Sequence, residues 1–231
     1  MPQNVFRDKL GAGAHPTQAF YGAGTGYLAR ILAGVGFDSL LLDMQHGPLT
    51  WERAYELVPL LEPTCSAVLR VPSADRGSLE RAADTGAHGI ICPDVTTPRE
   101  AELLAAARRV GRAADPVAIA QIESPAGLEA LSDIAKVPGI DALMPGPSDL
   151  SMSLGGEPGL HYTDPVIAGH VRTVIDAAHD HGLWAGVPTM TAEHARLAVE
   201  WGADYLIVAS DVRWLRLGAT AALEELRAAT R

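Results

Sequence analysis

Lysine is almost absent from this sequence of 231 residues, which has only Lys9 and Lys136. Acidic residues outnumber basic ones, and the formal net charge at pH 7 is −10. A surface that binds nucleic acid needs clustered lysine and arginine to neutralise phosphates. The composition therefore argues against a nucleic-acid partner and predicts a small-molecule one.

Cysteine is also scarce, and no apolar run approaches the roughly 18 residues that a membrane-spanning helix needs. Cys65 and Cys92 lie in or beside apolar runs, so we expect free buried thiols and no disulfide framework. Residues 1–4 do not form a basic segment followed by an apolar stretch, and the sequence therefore predicts no signal peptide. These features predict a cytoplasmic enzyme or binding domain without membrane contact.

Short runs rich in valine, isoleucine and leucine alternate with longer amphipathic runs along the chain. Such short apolar runs are typical of strands that are buried on both faces. We predict strands at residues 17–21, 39–42, 67–71, 89–92, 117–122, 142–144, 184–187 and 205–209. The predicted helices lie between them at residues 24–35, 50–61, 78–84, 98–110, 125–135, 164–180, 192–201 and 214–229.

Eight predicted strand–helix units follow one another without a Pro/Ser-rich linker or a shift in composition. The helices have ordinary start and stop signals, such as Thr97 and Pro98 at one start and Gly111 at its end. Eight such units in this length predict an α/β fold, a (β/α)8 TIM barrel that residues 1–231 form as a single domain.

Polar residues stand just past the ends of six predicted strands, and a barrel of this kind binds ligands at the carboxyl ends of its strands. They are Asp43, Gln45 and His46 after the second strand, Arg70 at the end of the third, Asp94 after the fourth, Gln121 and Glu123 at the end of the fifth, Ser148 and Asp149, preceded by Gly146 and Pro147, after the sixth, and Asp211 after the eighth. We expect these side chains to meet on one rim of the barrel.

Glu123 and Asp149 follow neighbouring strands and predict a metal site. Two carboxylates that leave room for water and substrate oxygens suit Mg²⁺ or Mn²⁺, which prefer oxygen ligands and keep open positions. The alternative interpretation is that each carboxylate caps the helix that follows it.

His46 and Arg70 are the candidates for proton transfer and anion binding. Histidine titrates near neutral pH, so His46 is a candidate general base that Asp43 would orient. A loop histidine bonded to the backbone is the alternative. Arg70 ends an apolar strand, where a buried cation needs an anionic partner, such as a substrate carboxylate held bidentately. Its alternative is a structural ion pair with Asp43 or Glu123.

Residues 24–29 (GTGYLA) match a dinucleotide-binding fingerprint at the start of a predicted helix. Asp43 ends the next predicted strand, close to where an acid that binds ribose would fall. This alternative predicts a nicotinamide cofactor. It leaves Arg70, Glu123 and Asp149 without a role, and eight strand–helix units suit a barrel better.

Four motifs, taken together and in this order, resemble the HpcH/HpaI aldolase family. They are residues 37–48 (FDSLLLDMQHGP), 69–72 (LRVP), 121–124 (QIES) and 145–151 (PGPSDLS). The resemblance extends from about Phe6 to Arg227 and includes the last strand–helix unit up to Asp211. Members are metal-dependent class II pyruvate aldolases on a (β/α)8 barrel of the phosphoenolpyruvate/pyruvate superfamily, so the resemblance implies cleavage of a 4-hydroxy-2-oxo acid to pyruvate and an aldehyde.

The resemblance also implies a role for each matching residue. Glu123 and Asp149 would bind a divalent cation, Mg²⁺, Mn²⁺ or Co²⁺. Arg70 would hold the pyruvate portion and its enolate, with Gln121 nearby, and His46 would be the base with Asp43 as its partner. The remaining matches are the backbone of Gly146, Pro147 and Ser148, which would receive the pyruvate carboxylate, and Gln45, which would orient water near the metal.

Two departures from the family pattern concern the charge and the entrance of the site. The family often has glutamate where this chain has Gln45. Many members also carry a long Arg/Gly-rich segment before the fifth strand, where this chain has only residues 109–116. That segment shapes the substrate entrance, so the resemblance does not specify the aldehyde half of the substrate. No lysine is predicted at a strand end, which argues against a Schiff-base aldolase.

Two other functions remain as alternatives. A lyase of the citrate lyase β-subunit type would act on an acyl-CoA, but it would need a basic patch that this acidic chain lacks. A non-catalytic barrel that binds a 2-oxo acid is the other alternative. The resemblance further implies a homo-oligomer, with a hexamer as the candidate assembly, in which the C-terminal helix packs on a neighbour. Its apolar residues would equally cover the chain's own barrel; they are Trp214, Leu215, Leu217, Leu223 and Leu226.

Overall fold

A computed structural model describes residues 4–61, 63, 65–113 and 115–230 of the chain. Eight parallel strands close into a barrel in chain order, each bonded to the next and the last to the first. They are β1 (Thr17–Tyr21), β2 (Ser39–Asp43), β3 (Ser66–Arg70), β4 (Gly89–Cys92), β5 (Val117–Ile122), β6 (Ala142–Pro145), β7 (Trp184–Thr189) and β8 (Tyr205–Ser210). The predicted α/β barrel is confirmed, although the predicted domain of residues 1–231 includes residues 1–3, 62, 64, 114 and 231, which lie outside the described part.

Eleven helices occur in the described part of the chain. They are α1 (Val5–Gly11), α2 (Gly26–Val35), α3 (Trp51–Leu61), α4 (Arg76–Asp84), α5 (Pro98–Val110), α6 (Pro125–Glu129), α7 (Leu131–Ala135), α8 (Pro147–Ser153), α9 (Pro165–Asp180), α10 (Ala192–Glu200) and α11 (Asp211–Ala229). Many begin at a side-chain cap, as α5 does, where Thr97 and Glu100 form a capping box. Such caps satisfy the backbone N–H groups of each first turn and fix where the chain leaves the barrel rim.

Two apolar layers explain why the strands are short and lack polar alternation. Side chains such as Leu41, Ile119 and Ile207 fill the barrel interior, and Phe6 and Leu10 of α1 pack against them. A larger layer lies between the strands and the surrounding helices. Strands β2 to β6 are therefore buried on both faces, as the continuous apolar runs predicted.

The predicted and observed elements differ at a few places. Helices α1 and α8 were not predicted, and the helix predicted at residues 125–135 is two helices, α6 and α7, that meet at Ala130. The last helix begins at Asp211 rather than at residue 214. The connection between α5 and β5 is short, as predicted, although Ala114 lies outside the described residues.

The structure also bears on the two cysteines and on the absence of a long apolar helix in its described part. Cys65 and Cys92 are free and buried, and burial raises the pKa of each thiol to about 12, so neither is a reactive thiolate. In the part of the chain that the structure describes, no helix is long and apolar enough to cross a membrane.

The dinucleotide alternative is not supported by the fold. The sheet is closed, whereas the dinucleotide-binding fold has an open sheet with a crevice at its switch point. The side chain of Thr25 already caps the first turn of α2, where a pyrophosphate would bind. Gly26 packs against α3 instead, where a Cβ would lie 2.9 Å from the end of the Leu60 side chain.

Replacing Gly186 with alanine is expected to destabilise the barrel by about 1–3 kcal/mol, the usual cost of overpacking a core. Gly186 on β7 is the register partner of Tyr205 on β8, and an added Cβ would overlap the buried Tyr205 ring. Urea unfolding measures the change. Gly169→Ala is the matched control, since Gly169 lies inside α9 with open space around it and should gain up to about 1 kcal/mol.

Candidate active site

The predicted site residues surround a cavity at the carboxyl ends of the strands. Its volume is about 290 Å³. Seven predicted residues line it: His46, Arg70, Gln121, Gly146, Pro147, Ser148 and Asp149. Six further lining residues were not predicted: Phe20, Met144, Met152, Leu160, Pro188 and Met190. Asp43, Gln45 and Glu123 were also predicted but do not line this cavity, and its apolar wall was not predicted.

Arg70 and Asp43 form a bidentate ion pair. They are register partners at the ends of β3 and β2, so their side chains start side by side. Arg70 Nε and Nη2 donate to the two Asp43 oxygens at 2.9 and 2.8 Å, and both residues are less than 10% exposed. Burial opposes ionisation of Asp43, but the bonds and charge of Arg70 outweigh it and lower its pKa. The structural ion pair between Arg70 and Asp43 is therefore present, and Arg70 also lines the cavity.

Asp43 contacts His46 through the backbone rather than through the imidazole. Asp43 Oδ1 accepts hydrogen bonds from the N–H groups of Gln45 and His46 at 3.1 and 3.4 Å. The imidazole Nδ1 of His46 instead lies 3.1 Å from Arg70 Nη2. The predicted orientation of His46 by Asp43 therefore takes an indirect form, in which Arg70 stands between them.

Glu123 connects this ion pair to Asp149. Arg70 Nη1 donates to Gln121 Oε1 at 3.5 Å, and the amide nitrogen of Gln121 donates to Glu123 Oε2. The other Glu123 oxygen accepts from the N–H of Asp94 at 2.9 Å. Burial, and then the charge and hydrogen bond of Asp149, raise the pKa of Glu123 to about 8. Two carboxylates this close favour a shared proton unless a cation neutralises them.

Neither carboxylate is a helix cap, so that alternative is wrong. Ser124 caps α6, and Gly146 precedes α8 without a side-chain hydrogen bond. Asp149 lies in the first turn of α8 with its side chain toward the cavity. A Cβ on Gly146 would overlap Glu123, so the backbone approaches that carboxylate more closely than another residue type would permit.

The residues fit a divalent cation. Glu123 is buried and Asp149 beside it is half-buried, and burial together with the nearby Asp149 carboxylate raises the pKa of Glu123, so the pair would be stabilised by an added positive charge. Among the described residues, no cluster of three or more His, Cys, Asp or Glu side chains is arranged as a metal site. A cation here would therefore take two protein carboxylates and leave its other positions to substrate and water, as Mg²⁺ commonly does.

A second cavity, of about 260 Å³, adjoins the first and shares Phe20, His46 and Met190 with it. Asp211 lies at its far side, buried, and accepts hydrogen bonds from the N–H groups of Gly22 and Ala23 at 3.1 and 2.8 Å. Asp211 was predicted on the rim, and the structure shows that it fixes the loop after β1.

Gln45, in the loop after β2, has a buried side-chain Oε1. That oxygen accepts no hydrogen bond from any residue in the described ranges. A buried acceptor without a partner is uncommon, and water is the ordinary partner in such a place.

The chain is similar to known proteins both in sequence and in structure. The sequence model of the family described as HpcH/HpaI aldolase/citrate lyase matches residues 17–216. "Hydroxypyruvate/pyruvate aldolase" of Chromohalobacter salexigens is 32% identical to this chain over an alignment of 248 positions. The alignment covers 95% of this chain and 96% of that protein. The crystal structure of an HpcH/HpaI aldolase from Desulfitobacterium hafniense has a TM-score of 0.87 at 25% identity and covers 96% of each chain.

A citrate lyase beta subunit from M. tuberculosis, complexed with oxaloacetate and magnesium, is less similar. Its TM-score is 0.66 at 20% identity, with 87% of this chain and 93% of that chain covered, so the likeness concerns the fold alone. The aldolases named above are carbon–carbon lyases, which confirms the predicted enzyme class. Because the family match spans most of the chain, the protein belongs to the HpcH/HpaI aldolase/citrate lyase family.

Proposed function

We propose that this enzyme is a metal-dependent aldolase that breaks or forms the C3–C4 bond of a 4-hydroxy-2-oxo acid. The products of cleavage are pyruvate, or a related 2-oxo acid, and an aldehyde. The hydrogen-bonded series Arg70, Gln121 and Glu123 carries the proposal, because Arg70 and Gln121 line the cavity and the buried Glu123 carboxylate interacts with Asp149, which lines it too. It combines a fixed cation for an enolate with a carboxylate pair for a metal.

The chain's own residues have distinct tasks in this reaction. Arg70 is held rigidly by Asp43, so its outer N–H groups are preorganised to bind the enolate oxygen as charge develops. Gln121 positions the 2-oxo group beside Arg70. The N–H of Gly146 already donates to the Ile122 carbonyl at 2.8 Å, and Pro147 has none, so the first turn of α8, which has no side-chain cap, offers the backbone N–H groups of Ser148 and Asp149 to the substrate carboxylate.

Glu123 and Asp149 would hold the divalent cation, Mg²⁺, Mn²⁺ or Co²⁺. When bound, such a cation supplies Lewis-acid stabilisation of negative charge on the substrate oxygens. The raised pKa of Glu123 supports this assignment, because the site is built for more positive charge than its side chains provide. Gln45 would bind a water beside this pair.

His46 is the proposed base. An arginine N–H donates and cannot accept, so the His46 Nδ1 that faces Arg70 is the unprotonated nitrogen. In cleavage, Nδ1 exchanges this hydrogen bond for the proton of the 4-hydroxyl group, and the Arg70 N–H that it releases turns to the developing enolate oxygen. The C3–C4 bonding electrons then move to C3 to give the enolate, the aldehyde leaves, and a proton added at C3 gives the 2-oxo acid. Asp43 acts through the loop backbone and Arg70.

The two alternative functions fit the cavity less well. A volume of about 290 Å³ is at the lower end for small-molecule sites and suits a 2-oxo acid with a small aldehyde better than an acyl-CoA. Arg70 is the one lysine or arginine among the residues that line it, so nothing there attracts the CoA phosphates. A non-catalytic barrel would not need a buried Glu123 whose pKa is raised by burial and by a neighbouring carboxylate.

We also propose that each chain is a single domain of a homo-oligomer, with a hexamer as the candidate assembly, in which α11 packs on a neighbouring subunit. Nearly all of α11 is exposed on the isolated chain, which supports such a partner. A cytoplasmic location remains a prediction from the sequence.

The test is deuterium exchange into the methyl group of pyruvate, followed by NMR, since it requires no knowledge of the aldehyde. We expect exchange with Mg²⁺ or Mn²⁺, none with EDTA, and a rate roughly a hundredfold lower in Glu123→Gln because the metal is lost. Glu129→Gln, an exposed carboxylate on α6, is the matched control and should exchange normally. Exchange that is absent with every metal, or unchanged in Glu123→Gln, would overturn the proposal.

A further inference from the structure

The outer wall of the active-site cavity is made of apolar and sulfur-containing side chains. Met152 on α8 and Met190 after β7 line it together with Leu160, Pro188 and Phe20, and Met144 lies deeper. Three of the chain's five methionines therefore line this one cavity. Met152 and Met190 remain 46% and 36% exposed, so their side chains are available to a ligand.

The charges in the adjoining cavity are negative or already paired. Both oxygens of Asp43 accept hydrogen bonds from Arg70, and both oxygens of Asp211 accept hydrogen bonds from backbone N–H groups. Among the described residues that line the two cavities, Arg70 is the one permanent cation, and it belongs to the 2-oxo-acid end. A carboxylate or phosphate on the other half of the substrate would meet Asp211 without a cationic partner.

The wall is equally poor in partners for several hydroxyl groups. Methionine, leucine, proline and phenylalanine side chains offer no strong hydrogen-bond donor or acceptor. A polyhydroxylated chain lying on them would lose hydrogen bonds to water without replacement. A hydrocarbon chain would instead gain from leaving water, and flexible methionines can adapt to chains of different shape.

From this lining we infer that the aldehyde half of the substrate is uncharged and carries an apolar substituent, which lies against Met152, Leu160 and Met190. The inference rests on the proposed aldolase function and names its acceptor class. In the synthetic direction, C3 of pyruvate loses a proton and forms a bond to the aldehyde carbon. The electron pair of the aldehyde C=O moves to its oxygen, which takes a proton, so no oxidant or reductant is required.

Matched pairs of aldehydes test the inference. Butanal and succinic semialdehyde have the same number of carbons and differ by a carboxylate, and propanal and glyceraldehyde differ by two hydroxyl groups. With pyruvate and Mg²⁺ or Mn²⁺, we expect kcat/KM to favour butanal over succinic semialdehyde and propanal over glyceraldehyde, each by at least roughly tenfold. Lengthening from butanal to hexanal should raise kcat/KM further, because each methylene gains apolar contact.

Two arginine variants test the location of the aldehyde. Met190→Arg and Met152→Arg each place a cation on the wall and should shift the butanal preference toward succinic semialdehyde by at least roughly tenfold. Leu154→Arg is the matched control, because Leu154 is exposed beside α8 and does not line the cavity. It should leave the preference unchanged.

Pyruvate deuterium exchange without any aldehyde separates the two proposals. If exchange is normal but succinic semialdehyde or glyceraldehyde is the better acceptor, the acceptor class is wrong and the aldolase function stands. The inferred position of the aldehyde is wrong if both arginine variants keep the wild-type preference while they exchange normally. If exchange is absent in the wild-type protein, both proposals fall together.

Discussion

Replacing Arg70 with lysine is expected to lower kcat/KM for aldol cleavage by roughly a thousandfold while the chain stays folded. Arg70 bonds Asp43 at two points and still reaches toward His46 and Gln121, at 3.1 and 3.5 Å. Lysine keeps the charge, but its single ammonium group cannot hold Asp43 and bind an enolate in the same geometry. Steady-state kinetics of cleavage, together with pyruvate exchange, measure the effect.

Arg70→Gln separates the catalytic contribution from the structural one. It leaves the buried Asp43 charge without a partner, so the free energy of unfolding should fall by about 3–5 kcal/mol at neutral pH. Because Arg70 lowers the pKa of Asp43, the stability that the pair contributes is present above the ordinary aspartate pKa and is lost as pH falls through the lowered value. The stability difference from wild type should therefore shrink below about pH 4.

The matched control is Arg108→Lys. Arg108 also lies in a partly buried ion-pair network, with Asp141 at 3.2 Å, but near the amino ends of β5 and β6. Its variant should lose some stability and keep kcat/KM. An Arg70→Lys enzyme that retained more than about a tenth of wild-type kcat/KM would show that Arg70 serves only to neutralise Asp43, since even one lost transition-state hydrogen bond usually costs more.

The strands were predictable because burial on both faces requires continuous apolar runs, which can be recognised in the sequence. The predicted ends of β1, β4 and β5 agree with the structure, and the others differ by one or two residues. The missed helices are short. The seven residues of α1 show only Phe6 and Leu10 on one face, and α8 begins with Pro147 directly after a strand, where a loop is the usual expectation.

The position of the site was also predictable, since every residue after a parallel strand in a barrel reaches the same rim. The prediction covered the ends of six strands and omitted β1 and β7. Phe20, Pro188 and Met190 come from those two strands, so the same rule applied to them would have found part of the apolar wall.

The partners within the site were not predictable in the same way. Whether Asp43 holds Arg70 or the His46 ring depends on the register of β2 against β3, which pairs Asp43 directly with Arg70. The sequence left both arrangements open because register is a tertiary property. The raised pKa of Glu123 likewise depends on how closely α8 brings Asp149 to it.

The outer face of β8 is less buried than the outer faces of β2 to β6. The helix that follows β8 in the chain, α11, is itself largely exposed. Outward-facing Leu206 and Val208 are half-buried, whereas strands β2 to β6 are fully buried. In α11, Trp214 stacks on Phe37, and every residue from 215 to 230 is exposed. An amphipathic helix with an exposed apolar stripe needs a partner to be stable.

Changing Leu215 and Leu223 to glutamate together should therefore dissociate the protein into monomers. On an isolated chain these side chains are 69% and 46% exposed, and such surface changes would alter stability by only about 0.5 kcal/mol each. Packed on a neighbour, each leucine contributes about 1.5–3 kcal/mol, so losing two weakens association at least roughly a hundredfold. Light scattering during gel filtration gives the mass of the assembly directly.

Exposed α2 offers a surface that complements this stripe. Tyr27, Ile31 and Val35 lie four residues apart along α2 and are 81%, 47% and 67% exposed, so they form one apolar row. Ile31→Glu should therefore dissociate the oligomer as the α11 variant does, whereas Glu224→Lys on the charged face of α11 should leave its mass unchanged. If the double leucine variant keeps the mass of the wild type, α11 is a free surface helix and the assembly uses another face. If it becomes monomeric, the apolar stripe of α11 lies in a contact between chains, and the result for Ile31→Glu decides whether α2 is the other side of that contact.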